Sequence, residues 1–79
     1  MFYVYIIKSK NYNKHYTRIT KDLRKRFRAH NFGQSPHTAK YKPYVLAWYC
    51  CFSNKNNAYK FEKYLKSGSG IAFLKKHLI

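Results

Sequence analysis

The sequence predicts a small α+β domain, a three-stranded antiparallel sheet with helices packed around it. Three observations point there. The chain has 79 residues, enough for one core and no second one, so residues 1–79 read as a single domain. Short β-branched and aromatic runs alternate with stretches of helical apolar spacing, in the order β-β-α-β-α-α. Apolar residues make up 46% of the chain and aromatics 20%, which is enough to build a core despite the charge.

Each element has its own warrant. "FYVYII" (2–7) is β-branched and aromatic, as a strand should be. The Asn-rich "KSKNYNK" (8–14) is a turn, and "HYTRIT" (15–20) is the return strand of a hairpin. Thr20 is placed to cap a helix over "KDLRKRFRAHN" (21–31), with Asp22 in the first turn, where the helix dipole favours negative charge. Leu23 and Phe27 are four apart and face the core, and Gly33 ends the segment. A loop (33–43) leads to "YVLAWYCCF" (44–52), the most apolar run and the expected central strand. Ser53 or Asn54 caps a second helix (55–66), whose buried stripe is Ala58, Phe61 and Leu65. "SGSG" (67–70) breaks that helix, and a short terminal helix follows over 71–78.

The charge balance narrows the function. Seventeen Lys and Arg face two acids, for a formal net charge of +15. Self-repulsion at that charge favours a polyanionic partner, nucleic acid before an anionic membrane surface. A membrane-surface peptide would be one amphipathic helix, whereas this chain alternates strands and helices. No stretch is apolar for 18 residues, and the N-terminus lacks the pattern of a secretory signal. The adjacent Cys50 and Cys51 point to opposite faces of a strand, which suits neither a disulfide nor a zinc site. The expectation is a cytoplasmic protein with no membrane partner.

The acids also exclude chemistry. Asp22 and Glu62 are the only carboxylate side chains, too few for a two-metal nuclease and poorly suited to a paired-carboxylate glycosidase. Any metal site is sparse, which suits Mg²⁺ held by one or two carboxylates, water and phosphate oxygens.

Candidate residues follow, each beside a plainer reading. Lys21, Arg24, Lys25 and Arg28 cover the solvent side of the first helix. A solvated face normally carries acids between its bases; here they are missing, which favours phosphate contact. Arg26 and His30 share one helical face at the core edge. Arg26 suits a phosphate clamp, or packs its aliphatic stem. Tyr3 and Tyr5 lie on one face of the first strand, with Tyr16 across the hairpin. A tyrosine is a poor base at neutral pH unless nearby cations lower its pKa, and cations are abundant here. Glu62 borders the buried face of the second helix, a cation ligand or a surface partner of Lys63 or Lys66.

Taken together, these residues resemble the GIY-YIG nuclease domain, in its short single-domain bacterial form. "YVY" (3–5) stands where GIY would be and "YTR" (16–18) where YIG would be. Tyr5 and Tyr16 are eleven apart, and Arg26 follows Tyr16 by ten, matching the family's spacing. His30 in "RFRAHN" and Glu62 in "FEKYLKSGSG" match in order, as do "ITKDL" and "HTAKYKPY". The resemblance covers essentially the whole chain. It implies the family's GIY-YIG endonuclease-like sheet and helices, and metal-assisted hydrolysis of phosphodiesters in DNA, with RNA not excluded. It implies that Glu62 holds one Mg²⁺ or Mn²⁺. Tyr16, with Tyr5 or His30, would handle the proton of an attacking water, and Arg26 would meet charge on the phosphoryl oxygens. Arg18, Lys40 and Lys66 join the basic helix as candidate nucleic-acid contacts. A monomer or weak homodimer is expected. Two positions depart from the pattern: Arg18 replaces the glycine of YIG, and Ile71 follows "SGSG" where a basic residue is usual. Arg18 either adds a phosphate contact or crowds the pocket. An alternative reading is therefore a nucleic-acid-binding domain of the same fold with impaired catalysis.

Overall fold

The computed structural model describes residues 1–79. Three strands, β1 (Phe2–Ser9), β2 (His15–Thr20) and β3 (Tyr44–Phe52), form one antiparallel sheet in the order β2-β1-β3. The central strand is therefore β1, and β3 lies at an edge, contrary to expectation. The reason is in the side chains. Val4, Tyr5, Ile6 and Ile7 are all fully buried, so both faces of β1 are covered, as a central strand requires. In β3 the apolar run is longer, but Val45, Tyr49 and Cys51 face solvent. Run length alone overstated its burial.

Alternation along β1 divides the core into two layers. Val4 and Ile6 pack with Ala58, Leu65 and Leu74 under helices α2 (Lys55–Lys66) and α3 (Gly68–His77). Tyr5 and Ile7 pack with Tyr44 against Leu23 and Phe27 of helix α1 (Leu23–Asn31). The segment joining α1 to β3 contains a single 3-10 turn, Ala39–Tyr41. It is tied down at both ends. The Ser9 hydroxyl donates to the Tyr41 carbonyl at 2.7 Å. The Asn31 amide brackets Tyr44, accepting from its N–H at 2.6 Å and donating to its carbonyl at 3.2 Å.

Two helix starts differ from expectation, each through a cap. Asp22, not Thr20, caps α1: its carboxylate accepts from Lys25 N–H at 3.1 Å, so the helix starts at Leu23. Thr20 instead accepts from the Asp22 N–H at 3.1 Å. Asn54 caps α2 in the expected way, accepting from Asn57 N–H at 3.1 Å. Ser67 both ends α2 and begins α3, because its hydroxyl accepts from Gly70 N–H at 3.1 Å. Most of "SGSG" is thus the first turn of α3. Gly33, at φ +73, supplies the left-handed residue after α1. No helix is long and apolar enough to cross a membrane.

Gly70 fixes how α3 meets α2. A Cβ built there would stand 1.7 Å from the Tyr64 carbonyl oxygen, and that backbone cannot rotate aside. Gly68 has open space around it. Gly70→Ala should therefore destabilise the fold by about 2 kcal/mol or more, as overpacking against a rigid wall does. Gly68→Ala should be neutral or slightly stabilising. Urea unfolding of the two variants checks the contrast.

Candidate active site

The sheet places the first residues of the site by register. Tyr5 sits opposite Arg18, and Ile7 opposite Tyr16, so Tyr5, Tyr16 and Arg18 share the face covered by α1. A buried tyrosine needs a partner for its hydroxyl. Tyr5 finds it in His30, whose Nε2 lies 2.7 Å from the phenol oxygen. His30 is itself fully buried, and its Nδ1 lies 2.7 Å from Thr38 Oγ1. The arrangement that gives every hydrogen an acceptor has Tyr5 donating to Nε2 and the Nδ1–H donating to Thr38. The Thr38 hydroxyl then donates to the Ser35 carbonyl at 3.5 Å. Tyr44 completes the wall, donating to the Thr38 carbonyl, with its ring 6.3 Å from His30 and 6.0 Å from Tyr16.

The electrostatics follow from burial among cations. Burial pushes the Tyr5 pKa up, while Arg26 and then Arg18 pull it back. The net shift is upward, so the expected lowering by cations is outweighed by desolvation. His30 is lowered to about 4, first by burial and then by Arg26 and Arg18, so it is neutral at pH 7. Tyr44 is pushed up to about 12, mainly by burial and then by the neighbouring Tyr16.

Arg18 occupies the position where the pattern has glycine. No residue other than glycine has positive φ, so the strand asks for no glycine there. The guanidinium lies 5.2 Å from the Tyr16 ring centroid and donates to the Thr17 carbonyl at 2.9 Å. It adds a second guanidinium to the site.

Glu62 approaches from the other layer. Its carboxylate is the last of the charges that shift Tyr5, so its field reaches that hydroxyl. Along the open edge of β2 runs a groove between His15, Tyr16 and Arg18 of that strand and Leu65, Lys66 and Ile71. Lys66, one turn after Glu62, donates to its Oε2 at 2.9 Å, and the Glu62 side chain is only 14% exposed. The other oxygen makes no hydrogen bond within the protein. One largely buried carboxylate with a free oxygen fits a cation that draws its remaining ligands from water and phosphate. No group of three His, Cys, Asp or Glu gathers anywhere in the chain, so a closed protein cage is not available.

The structure thus brings Tyr5, Arg26 and His30 together, with Tyr16 and Arg18 beside them and Glu62 near enough to act on Tyr5. The other basic candidates lie apart. Lys21 and Arg24 line a shallow pocket with Tyr3 and Tyr49. Lys25 and Arg28 are exposed, and Lys40 lies over the Tyr41 ring at 5.5 Å. Lys66 is engaged by Glu62. Cys50 and Cys51 are both free, on opposite faces of β3. Two site residues escape sequence reasoning, Thr38 and Tyr44. Both lie in or beside "HTAKYKPY", but nothing in that stretch signals a hydrogen bond to a helix eight residues back.

A three-stranded antiparallel sheet with helices on both faces and a buried Tyr–His pair beside two guanidinium groups is an α+β domain with a candidate anion-handling site. The model of the GIY-YIG catalytic domain matches residues 1–71, and the chain belongs to that family. It is also 41% identical over 64 residues to a UPF0213 protein of Vibrio campbellii (strain ATCC BAA-1116). That match covers 80% of this chain and 61% of the relative, so the chain spans about three-fifths of the relative's length. No solved structure matches the chain. The family is one of nucleases that generally depend on a metal.

Neutral His30 makes a prediction about pH. Its folded pKa, about 4, lies below its ordinary 6.5, so the unfolded chain takes up the proton first. The stabilising effect is complete above pH 6.5 and is lost as pH falls towards 4. His30 alone should cost up to about 3 kcal/mol across that window, at ~1.4 kcal/mol per unit. Urea unfolding from neutral to acid pH should show this slope in the native protein, and His30→Gln should flatten it.

Proposed function

We propose that this protein is an endonuclease that hydrolyses phosphodiester bonds of DNA, in the cytoplasm, with one Mg²⁺ or Mn²⁺ held by Glu62. The observation that supports this best is the gathering of His30, Arg26 and Arg18 around Tyr5, with the Glu62 carboxylate near enough to act on the same hydroxyl. Charge of +15, with one carboxylate that keeps an unpaired oxygen beside its Lys66 pair, suits a polyanionic substrate and a lone cation.

Each side chain has a role suited to its chemistry. Glu62 offers its unpaired oxygen as ligand, and Lys66 holds the carboxylate by the other. The bound cation would supply positive charge against the phosphoryl oxygens and make water easier to deprotonate. Arg26 and Arg18 present guanidinium groups to the same oxygens, where negative charge develops. Tyr16, half-buried at the mouth of the groove, is the group best placed to accept a proton from attacking water. Tyr5 is fully buried, bonded to His30, and keeps its own proton.

A second reading has its own support. The 2.9 Å Lys66–Glu62 pair neutralises the one candidate ligand, as in a domain that binds nucleic acid without cutting it. Nicking of supercoiled plasmid separates the two. The nuclease reading expects nicking with Mg²⁺ or Mn²⁺ and none with EDTA. Glu62→Ala should abolish it, and Arg26→Ala should slow it by roughly 10²–10³, the usual effect of losing one transition-state donor. Plasmid retarded on the gel but never cut would establish the second reading.

A further inference from the structure

A second concentration of positive charge lies outside the site. Lys8 at the end of β1, Lys14 and His15 at the start of β2, and Lys75 of α3 line one pocket, with Asn13 beside them. Ile79 completes the lining, and no acidic side chain is part of it. Asp22 is occupied in capping α1 and Glu62 in pairing with Lys66. His15 has its pKa lowered by burial, then by Lys75 and Lys8, which shows how closely the cations crowd it. Like charges gathered without a counter-ion oppose the packing of α3 against the hairpin, and an anion between them removes the repulsion.

The pocket is also held in shape. The hairpin closes through Ser9, whose N–H donates to the Lys14 carbonyl at 2.9 Å and whose hydroxyl accepts from Tyr12 N–H at 3.1 Å. Tyr12 and Tyr41 meet edge to face at 5.1 Å, and the Lys14 ammonium lies 5.5 Å from the Tyr41 ring centre. Its position relative to the active site is the decisive point. His15 lines this pocket and also the groove that holds Tyr16, Arg18 and Lys66, so the two are continuous along the free edge of β2.

We propose that Lys8, Lys14, His15 and Lys75 form a second phosphate-binding subsite, which holds the nucleic-acid backbone a few nucleotides from the bond presented to Arg26 and Glu62. The inference rests on the nucleic-acid reading above and adds where the strand runs. From His15 to Arg18 is three residues of extended strand, about 10 Å at ~3.3 Å each. One strand of duplex DNA advances ~3.4 Å per nucleotide along its axis, so the two sites are about three nucleotides apart. The strand thus follows β2 and passes the β1–β2 hairpin. The basic face of α1 is left for other contacts.

Salt-dependent binding tests this. The probe is a fluorescent DNA duplex of about two helical turns (~20 bp), in EDTA so that nothing is cut. The charge is removed at Lys8→Gln with Lys75→Gln, both exposed and without a hydrogen-bond role in the fold. The control is Lys60→Gln with Lys63→Gln, which removes the same charge from exposed lysines outside both pockets. Two lost phosphate contacts should lower the slope of log K against log salt by about 1.8. Equivalently, the affinity lost between ~50 and ~200 mM salt should shrink roughly tenfold. The control should keep the native slope. Equal slopes for the two pairs would overturn the subsite while leaving DNA binding intact. Failure of the native protein to bind the duplex would remove the nucleic-acid reading and the subsite with it.

Discussion

The hydroxyl of Tyr5 cannot go unbonded, and much of the molecule is arranged around that requirement. Tyr5 lies on the central strand with no solvent exposure, where an unpaired hydroxyl costs about 1–3 kcal/mol. Its partner is His30, which must be neutral to be buried there. His30 in turn needs Thr38, and Thr38 is fixed by the short loop that Asn31, Tyr44 and Ser9 pin to the sheet. A single buried phenol thus links the strand, the helix and the loop of one layer. Arg26, one turn before His30 on the same helix, is exposed beside this chain of bonds.

The scarcity of acid shapes the rest. A chain with seventeen bases and two carboxylate side chains cannot scatter ion pairs over its surface. Asp22 is spent locally, as the cap that starts α1 and so sets where Arg26 and His30 fall on the helix. Glu62 is held by Lys66, and its field reaches the Tyr5 hydroxyl. No other cation has an acidic side chain as its ion-pair partner. A surface pair of this kind contributes little to stability, so the position of Glu62 matters more for what it meets than for what it stabilises.

Much of this is legible in the sequence, for reasons that can be named. Strand ends at His15, Thr20, Tyr44 and Phe52 and helix ends at Lys55 and Lys66 fall where the apolar pattern and the turn residues put them. The order of strands does not, because the apolar run of β3 is longer than that of β1. Burial on both faces depends on neighbours that one strand's pattern does not encode. Helix starts moved where two cap-forming residues stood close together, as Thr20 and Asp22 do, or where a glycine-rich stretch could itself be helical, as 68–70 is. Spacing put Tyr5 with Tyr3 and Tyr16, put Arg26 with His30, and set Glu62 beside the buried face of its helix; the resemblance to the family is what picked these five out. Spacing gave no hint that Thr38 and Tyr44 stand behind them, since those contacts exist only once the loop folds back over the sheet. Nor did it foretell that burial would outweigh the cations at Tyr5.

The state of His30 carries the account, and the ¹⁵N shifts of its imidazole, followed by NMR as pH is lowered, measure it most directly. The account predicts one neutral tautomer, protonated at Nδ1 and accepting at Nε2, that persists until pH approaches about 4. An imidazole that titrates near the ordinary 6.5, or shows the averaged shifts of two exchanging tautomers, would contradict it.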